Sequence, residues 1–118
     1  MDTSPETEKN SADTMYQMLR EGLIEEFNAR RKAGEVYELR GADLRGLDLR
    51  NLDTEDLDLR DCYLRHADLR GVDLTHAMLE GASISSAKIS GTYFPPELTA
   101  EEITLSLVHG TRMRYQTK

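Results

Sequence analysis

Apolar residues in the middle of the chain recur every five positions. Leucines stand at Leu39, Leu44, Leu49, Leu59, Leu64, Leu69, Leu74 and Leu79. Ile84, Ile89 and Phe94 extend the series, and Thr54 is its one break. Two residues ahead of each runs a second apolar series: Tyr37, Ala42, Leu47, Leu52, Leu57, Cys62, Ala67, Val72, Ala77, Ala82 and Ala87, closed by the polar Thr92. Residues 37–96 therefore divide into twelve unbroken blocks of five. The two series fill 24 positions, 22 of them apolar, while the other 36 hold only Tyr63, Met78 and Tyr93. One geometry has to hold for the whole stretch to keep the two sets apart.

Neither regular element has that period. A helix advances about 100° per residue, so a step of five scatters the leucines around its cylinder. A strand alternates faces, so an odd step sends successive leucines to opposite sides. The pattern is satisfied if the chain turns a corner after every block and each central residue points at a common axis. Four corners close a square coil of twenty residues, and twelve blocks make three coils. The corner positions are Gly41, Gly46, Asn51, Asp56, Asp61, His66, Gly71, His76, Gly81, Ser86, Gly91 and Pro96. Ten of these twelve are Gly, Asn, Asp or His, the residues that best tolerate positive φ.

Ala42-Asp43-Leu44-Arg45-Gly46 and Ala67-Asp68-Leu69-Arg70-Gly71 resemble the A(D/N)LXX unit of the pentapeptide-repeat family. The resemblance covers residues 37–96 and implies a right-handed quadrilateral β-helix; with the twelve blocks and the helical signals of the flanks, the expected fold is an all-β solenoid of about three coils with helical caps. Its hand is carried over from the family, since spacing alone does not give it. Leu47, Leu52 and Leu57 depart from the usual small residue and should widen the lower coils. Leu52 shares its block with Thr54, which lets volume lost at the centre be recovered two residues earlier.

A three-coil stack is roughly 14 Å tall at strand spacing, and both of its ends expose unpaired backbone unless covered. The flanks read as covers. Thr99-Ala100-Glu101-Glu102 is a capping box with Leu98 and Ile103 as a hydrophobic staple, and Gly110 is a stop, which predicts a helix over about 100–109. Ile103 and Leu107 are expected to close over Phe94, and Pro95-Pro96 ends the last coil. Upstream, Thr14-Met15-Tyr16-Gln17 reads as a second capping box, followed by Tyr16, Leu19, Leu23 and Phe27 at helical spacing. Gly22 is a candidate break between two short helices, and Arg30-Arg31-Lys32 before Gly34 suits a helix C-terminus. The expected organisation is a disordered N-terminus over 1–12, a helical cap over 13–35, the repeats over 36–96, and a capping helix with its tail over 97–118.

Charge narrows the function. The 118 residues carry 22 acids against 15 bases, a net charge of −7, which argues against direct binding of nucleic-acid phosphates. No apolar run is long enough to span a bilayer, and the first residues lack the basic start and apolar stretch of a signal peptide, so a cytoplasmic location without membrane contact is expected. The single Cys62 excludes an internal disulfide framework and reads as a small core residue.

Residues twenty apart should share a face. Arg40, Arg60 and Glu80 fall on the first, Arg45, Arg65 and Ser85 on the second, and Arg50, Arg70 and Ser90 on the third. With Asp43, Asp48, Asp58 and Asp68 nearby, these faces read as a solvated ion-pair lattice. The fourth face holds Asp53, Glu55, Asp56 and Asp73, with Thr75, His76, Tyr93 and no base. It reads either as a docking patch for a basic partner or as an acidic solvated face. The tail Arg112, Met113, Arg114 and Tyr115 is a second candidate interface, with folding back on its own cap as the alternative.

Catalytic chemistry is not expected. His66 and His76 lie on opposite sides of the square, no P-loop, nucleophile elbow or metal-ligand spacing occurs, and a packed interior leaves no pocket, so no cofactor or metal is called for. The leading expectation is a non-catalytic protein–protein interaction or scaffold module, monomeric or homodimeric, with an unidentified protein partner. Two alternatives stand beside it. Some pentapeptide-repeat proteins resemble DNA and bind type II topoisomerases, but a stack this short would need roughly eight aligned charges to imitate B-DNA. A structural homo-oligomer joined through the terminal caps is the other.

Overall fold

The computed structural model describes residues 5–116. Their regular elements are three helices: α1 (Pro5–Arg20), α2 (Ile24–Lys32) and α3 (Ala100–His109). Among the described residues no helix is long and apolar enough to cross a membrane.

Between α2 and α3 the chain comes back alongside itself every twenty residues. Parallel bridges join Asp43 to Tyr63 and Tyr63 to Ser83, Asp48 to Asp68 and Asp68 to Lys88, Asp58 to Met78, and Asp73 to Tyr93. Backbone bonds beside these bridges keep the same register: the Leu44 N–H donates to the Tyr63 carbonyl at 2.8 Å, and the Leu64 N–H to the Ser83 carbonyl at 2.8 Å. Every bridge is isolated. The chain bends again after each block, so one pair per side meets before the next corner and no multi-residue strand forms. Of the expected all-β solenoid with helical caps, the helices at both ends are present, and the repeats between them pair through isolated bridges without regular strands.

Nine of the twelve corner residues have positive φ, among them Asp56 at 57°, Asp61 at 62°, His66 at 60° and Ser86 at 56°. Asn51 and His76 turn without it. Both border the fourth face, where the Thr54 hydroxyl donates to the Asp73 carbonyl at 2.5 Å.

The two inward series fill the interior. All eight central leucines from Leu39 to Leu79 are buried, and Leu57, Cys62, Ala67, Val72, Ala77 and Ala82 lie between them in one continuous cluster. Each such leucine contributes about 1.5–3 kcal/mol by leaving water. The two polar members of these series are absorbed by hydroxyl bonds between circuits, Thr54 to Asp73 and Thr92 to the Leu69 carbonyl.

The lower lid is α1 and α2, which place Met15, Met18, Leu19, Ile24 and Phe27 against the first circuit. Phe27 meets Tyr37 edge-on at 6.2 Å. Polar side chains of these helices satisfy the unpaired lower edge. Tyr16 donates its hydroxyl to the Asp43 carbonyl at 2.8 Å, and Arg20 reaches the carbonyls of Asp43 and Arg45 at 3.4 and 3.3 Å. Asn28 donates to the Asn51 carbonyl and accepts from the Asp53 N–H, both at 2.9 Å. Arg31 donates to the carbonyls of Asp53 and Glu55.

Three expectations for this lid change. α1 begins at Pro5, so of the stretch expected to be disordered, residues 5–12 are helical and 1–4 lie outside the described residues. Proline suits the first helical position and no glycine or proline follows before Arg20. Thr14 consequently sits inside α1 and starts no helix. Leu23 is exposed, because the break at Gly22 (φ 79°) carries it out of the helical register.

The upper lid is α3 and the tail. Thr99 caps α3 by accepting from the Glu102 N–H at 3.1 Å, and Gly110 closes it at φ 74°. The reciprocal half of the capping box is not made: the Glu102 carboxylate accepts from the Arg114 N–H at 2.9 Å and anchors the tail. α3 seats over the second face, with the Ser106 hydroxyl accepting from the Ile84 N–H and the Leu107 carbonyl from the Ser86 N–H, both at 3.0 Å. Phe94 is left half-buried.

Candidate functional site

The outward side chains hold the chemistry of this molecule, and most are committed to the turns. The second residue of a block is an acid in seven of the twelve. In each of these seven its carboxylate accepts the main-chain N–H two residues on, Glu38 from Arg40 at 2.9 Å and Asp43 from Arg45 at 3.1 Å, and likewise at Asp48, Asp53, Asp58, Asp68 and Asp73. Where the fourth residue is arginine, its guanidinium folds back onto the same carboxylate in four blocks, with Arg60–Asp58 at 2.8 Å and Arg70–Asp68 at 2.7 Å. These arginine hydrogen bonds hold the carboxyls of Asp43, Asp48, Asp58 and Asp68 below the usual carboxylate range. The acid–x–arginine spacing signalled this arrangement, but only the side-chain periodicity, and not the turn bond, was legible in it.

The fourth face carries Asp53, Glu55, Asp56 and Asp73, all exposed. Asp53 and Asp73 are the turn acceptors of their blocks, and the Thr75 hydroxyl, with its N–H, pulls the Asp73 carboxyl down. Glu55 Oε2 lies 2.9 Å from His76 Nδ1, and this bond raises the imidazole above its ordinary value. Tyr93 stands above Asp73 and is 67% exposed. The expectation of a face without bases is corrected. α2 swings Arg31 onto the Asp53 and Glu55 carbonyls, and Arg50 lines a shallow cleft with Asp53, Glu55, Asp73 and His76. That approach depends on how the lid folds over the first circuit, which block spacing does not encode. Among the described residues no group of three or more His, Cys, Asp or Glu is placed to hold a metal ion.

The second candidate surface, the tail, lies on its own last circuit. Met113 is fully buried, its N–H donates to the Ala82 carbonyl at 2.9 Å and its carbonyl accepts from the Gly81 N–H at 2.7 Å. Tyr115 offers its hydroxyl to the Leu79 N–H at 2.9 Å. As the tail advances, its partners step back, so it runs antiparallel to the circuit it covers. Met113 and Tyr115 are thereby occupied within the chain, while Arg112 and Arg114 remain exposed.

Cys62 is buried and donates to the Leu39 carbonyl at 2.8 Å, and burial pushes its thiol up to about 12. His66 and His109 are exposed and stand on different parts of the surface from His76.

The family model for pentapeptide repeats matches residues 58–94 in eight copies. The matched segment starts after the first circuit, where Tyr37, Leu47 and Leu52 occupy inward positions that Ala77, Ala67 and Val72 fill in the circuits above. Comparison with curated proteins and with solved structures gave no match.

Proposed function

From the premise that the chain is a pentapeptide-repeat protein, we propose that residues 37–96 form a right-handed quadrilateral β-helix of three coils that serves as a non-catalytic protein-interaction module. The twenty-residue bridge offset and the buried central leucines support the coil; its hand rests on the family resemblance. A thiol raised to about 12 and a filled interior support the non-catalytic reading.

One observation carries the docking surface. On the fourth face the exposed carboxylates of Glu55, Asp56 and Asp73 act on His76, and Tyr93, one circuit above Asp73, is left two-thirds in water. A face that carries exposed carboxylates and an exposed aromatic suits a basic partner with an apolar anchor. The test is crosslinking in native lysate with wild type beside a Asp53→Asn, Glu55→Gln, Asp73→Asn variant. A crosslinked partner lost from the variant supports the reading, and one retained equally contradicts it.

Homo-oligomerisation through a cap is the second reading. It is favoured by Leu105 and Val108, exposed together on the outer side of α3. Sedimentation showing only monomer at high micromolar concentration would remove it. The topoisomerase reading has less support, since Arg31 and Arg50 interrupt the acidic face; a supercoiling assay indifferent to excess protein would eliminate it.

A further inference from the structure

Arg65 differs from every other repeat arginine. Arg45, Arg50, Arg60 and Arg70 pair with the aspartate of their own block, and Arg40 reaches Asp61 at 3.2 Å. In the block of Arg65 that aspartate is replaced by Tyr63. Arg65 is left with one side-chain partner, its Nε donating to His66 Nε2 at 3.4 Å, and with no carboxylate among the described residues.

The tail brings a second guanidinium to the same place. Arg112 lies over the Tyr63 ring at 5.2 Å and donates to its hydroxyl. Arg112 Nη1 also donates to the Gly81 carbonyl at 3.3 Å and pairs with Asp61 Oδ1 at 3.6 Å. Above Arg65 the column ends in Ser85, half-buried on the cleft wall. Together with Arg45 and His109 these residues line a cleft of about 370 Å³ that no carboxylate enters. In a chain of net charge −7 this is a concave surface lined by arginines alone among its fixed charges.

We propose that this cleft is a binding site for a phosphoryl group, free or on a small monoester, held between Arg65 and Arg112 with the Ser85 hydroxyl as a further donor. Arg65 supplies a fork whose terminal nitrogens have no rival partner among the described residues, and Arg112 supplies the N–H groups left over from Gly81 and Tyr63; a dianion with several acceptor oxygens can take both sets, whereas one carboxylate leaves donors unused. The site lies on the second face and is independent of the fourth-face docking surface.

The test is a titration of the ¹⁵N-labelled full chain at neutral pH with inorganic phosphate, methyl phosphate and acetate, each against sodium chloride of equal ionic strength. Phosphate should produce saturable shifts of the Arg65 and Arg112 Nε–H and Ser85 N–H signals, at least about tenfold tighter than acetate. Methyl phosphate binding as well as phosphate identifies a monoester site, and weaker binding identifies a free-anion site. Arg65→Ser and Arg112→Ser should each weaken binding about tenfold, and Arg60→Ser, on another face, should not. The spectrum of each variant reports that it is folded. Shifts that track ionic strength alone, acetate binding as tightly as phosphate, or an Arg65→Ser variant that binds as wild type would each overturn the proposal.

Discussion

The Asp68 carboxylate accepts both the main-chain N–H of Arg70, at 3.2 Å, and its guanidinium, at 2.9 and 2.7 Å. One acid thereby closes the turn of its block and pairs the charge beside it. It also lies against Arg50 of the circuit below at 3.5 Å, so the device links circuits as well.

Acid should therefore weaken the fold. The carboxyls of Asp43, Asp48, Asp58, Asp68 and Asp73 sit below their ordinary 3.8 in the folded chain. A depressed folded value means the stabilisation is present above 3.8 and is lost as pH falls through the lower folded values. Urea melts between pH 6 and pH 2 should show stability falling below about pH 4. Asp68→Asn, which keeps an acceptor oxygen but no charge, should flatten that fall. A curve level to pH 2 would contradict the assignment.

His76 should titrate in the opposite sense. Its folded value is raised above 6.5 by Glu55, so the pair's stabilisation is present below 6.5 and lost as pH rises through the folded value. Imidazole proton shifts should give a midpoint above 6.5 in the wild type, returning toward 6.5 in Glu55→Gln. Equal midpoints would show that the pair does not form in solution.

Corner residues should be sorted by backbone conformation. Gly71 has φ 73° with nothing within 4 Å of an added Cβ, so space is no obstacle and conformation alone is tested. Gly71→Val should cost about 1–2 kcal/mol, and Gly71→Asn clearly less, because asparagine enters the left-handed region more readily. Thermal melts compare the two, and equal losses would place the strain elsewhere.

Removing the tail should reopen the upper edge. A chain ending at Gly110 loses Met113 and Tyr115 from the backbone of Leu79, Gly81 and Ala82. Unpaired edges recruit other chains. Sedimentation of this shortened chain should show association that grows with concentration beyond that of the full chain; identical profiles would mean that the tail is no lid.

The circuits were legible in the sequence because two inward positions in five are apolar with almost no exceptions. A spacing of five excludes both regular elements before any coordinate is known. The helical extents were less so. α1 starts at Pro5 and not near residue 13, since a polar stretch without a breaker gives no apolar period to read. The acids of the repeats looked like ion-pair partners alone, because the turn bond to the N–H two residues on uses backbone geometry that spacing does not carry. The landing of Arg31 on the fourth face and the choice between the two readings of Met113 were not legible, for one shared reason. Where a lid lands depends on which edge groups lack partners, and that is settled only once the circuits exist.

The central claim is that the chain returns beside itself every twenty residues with its leucines inside. Nuclear Overhauser contacts in the labelled protein test it most directly. The account predicts backbone cross-peaks along the columns Asp43–Tyr63–Ser83 and Asp48–Asp68–Lys88, with Leu44 and Leu64 methyl groups in mutual contact. Cross-peaks confined to residues three or four apart, with those methyl groups exposed to water, would contradict it.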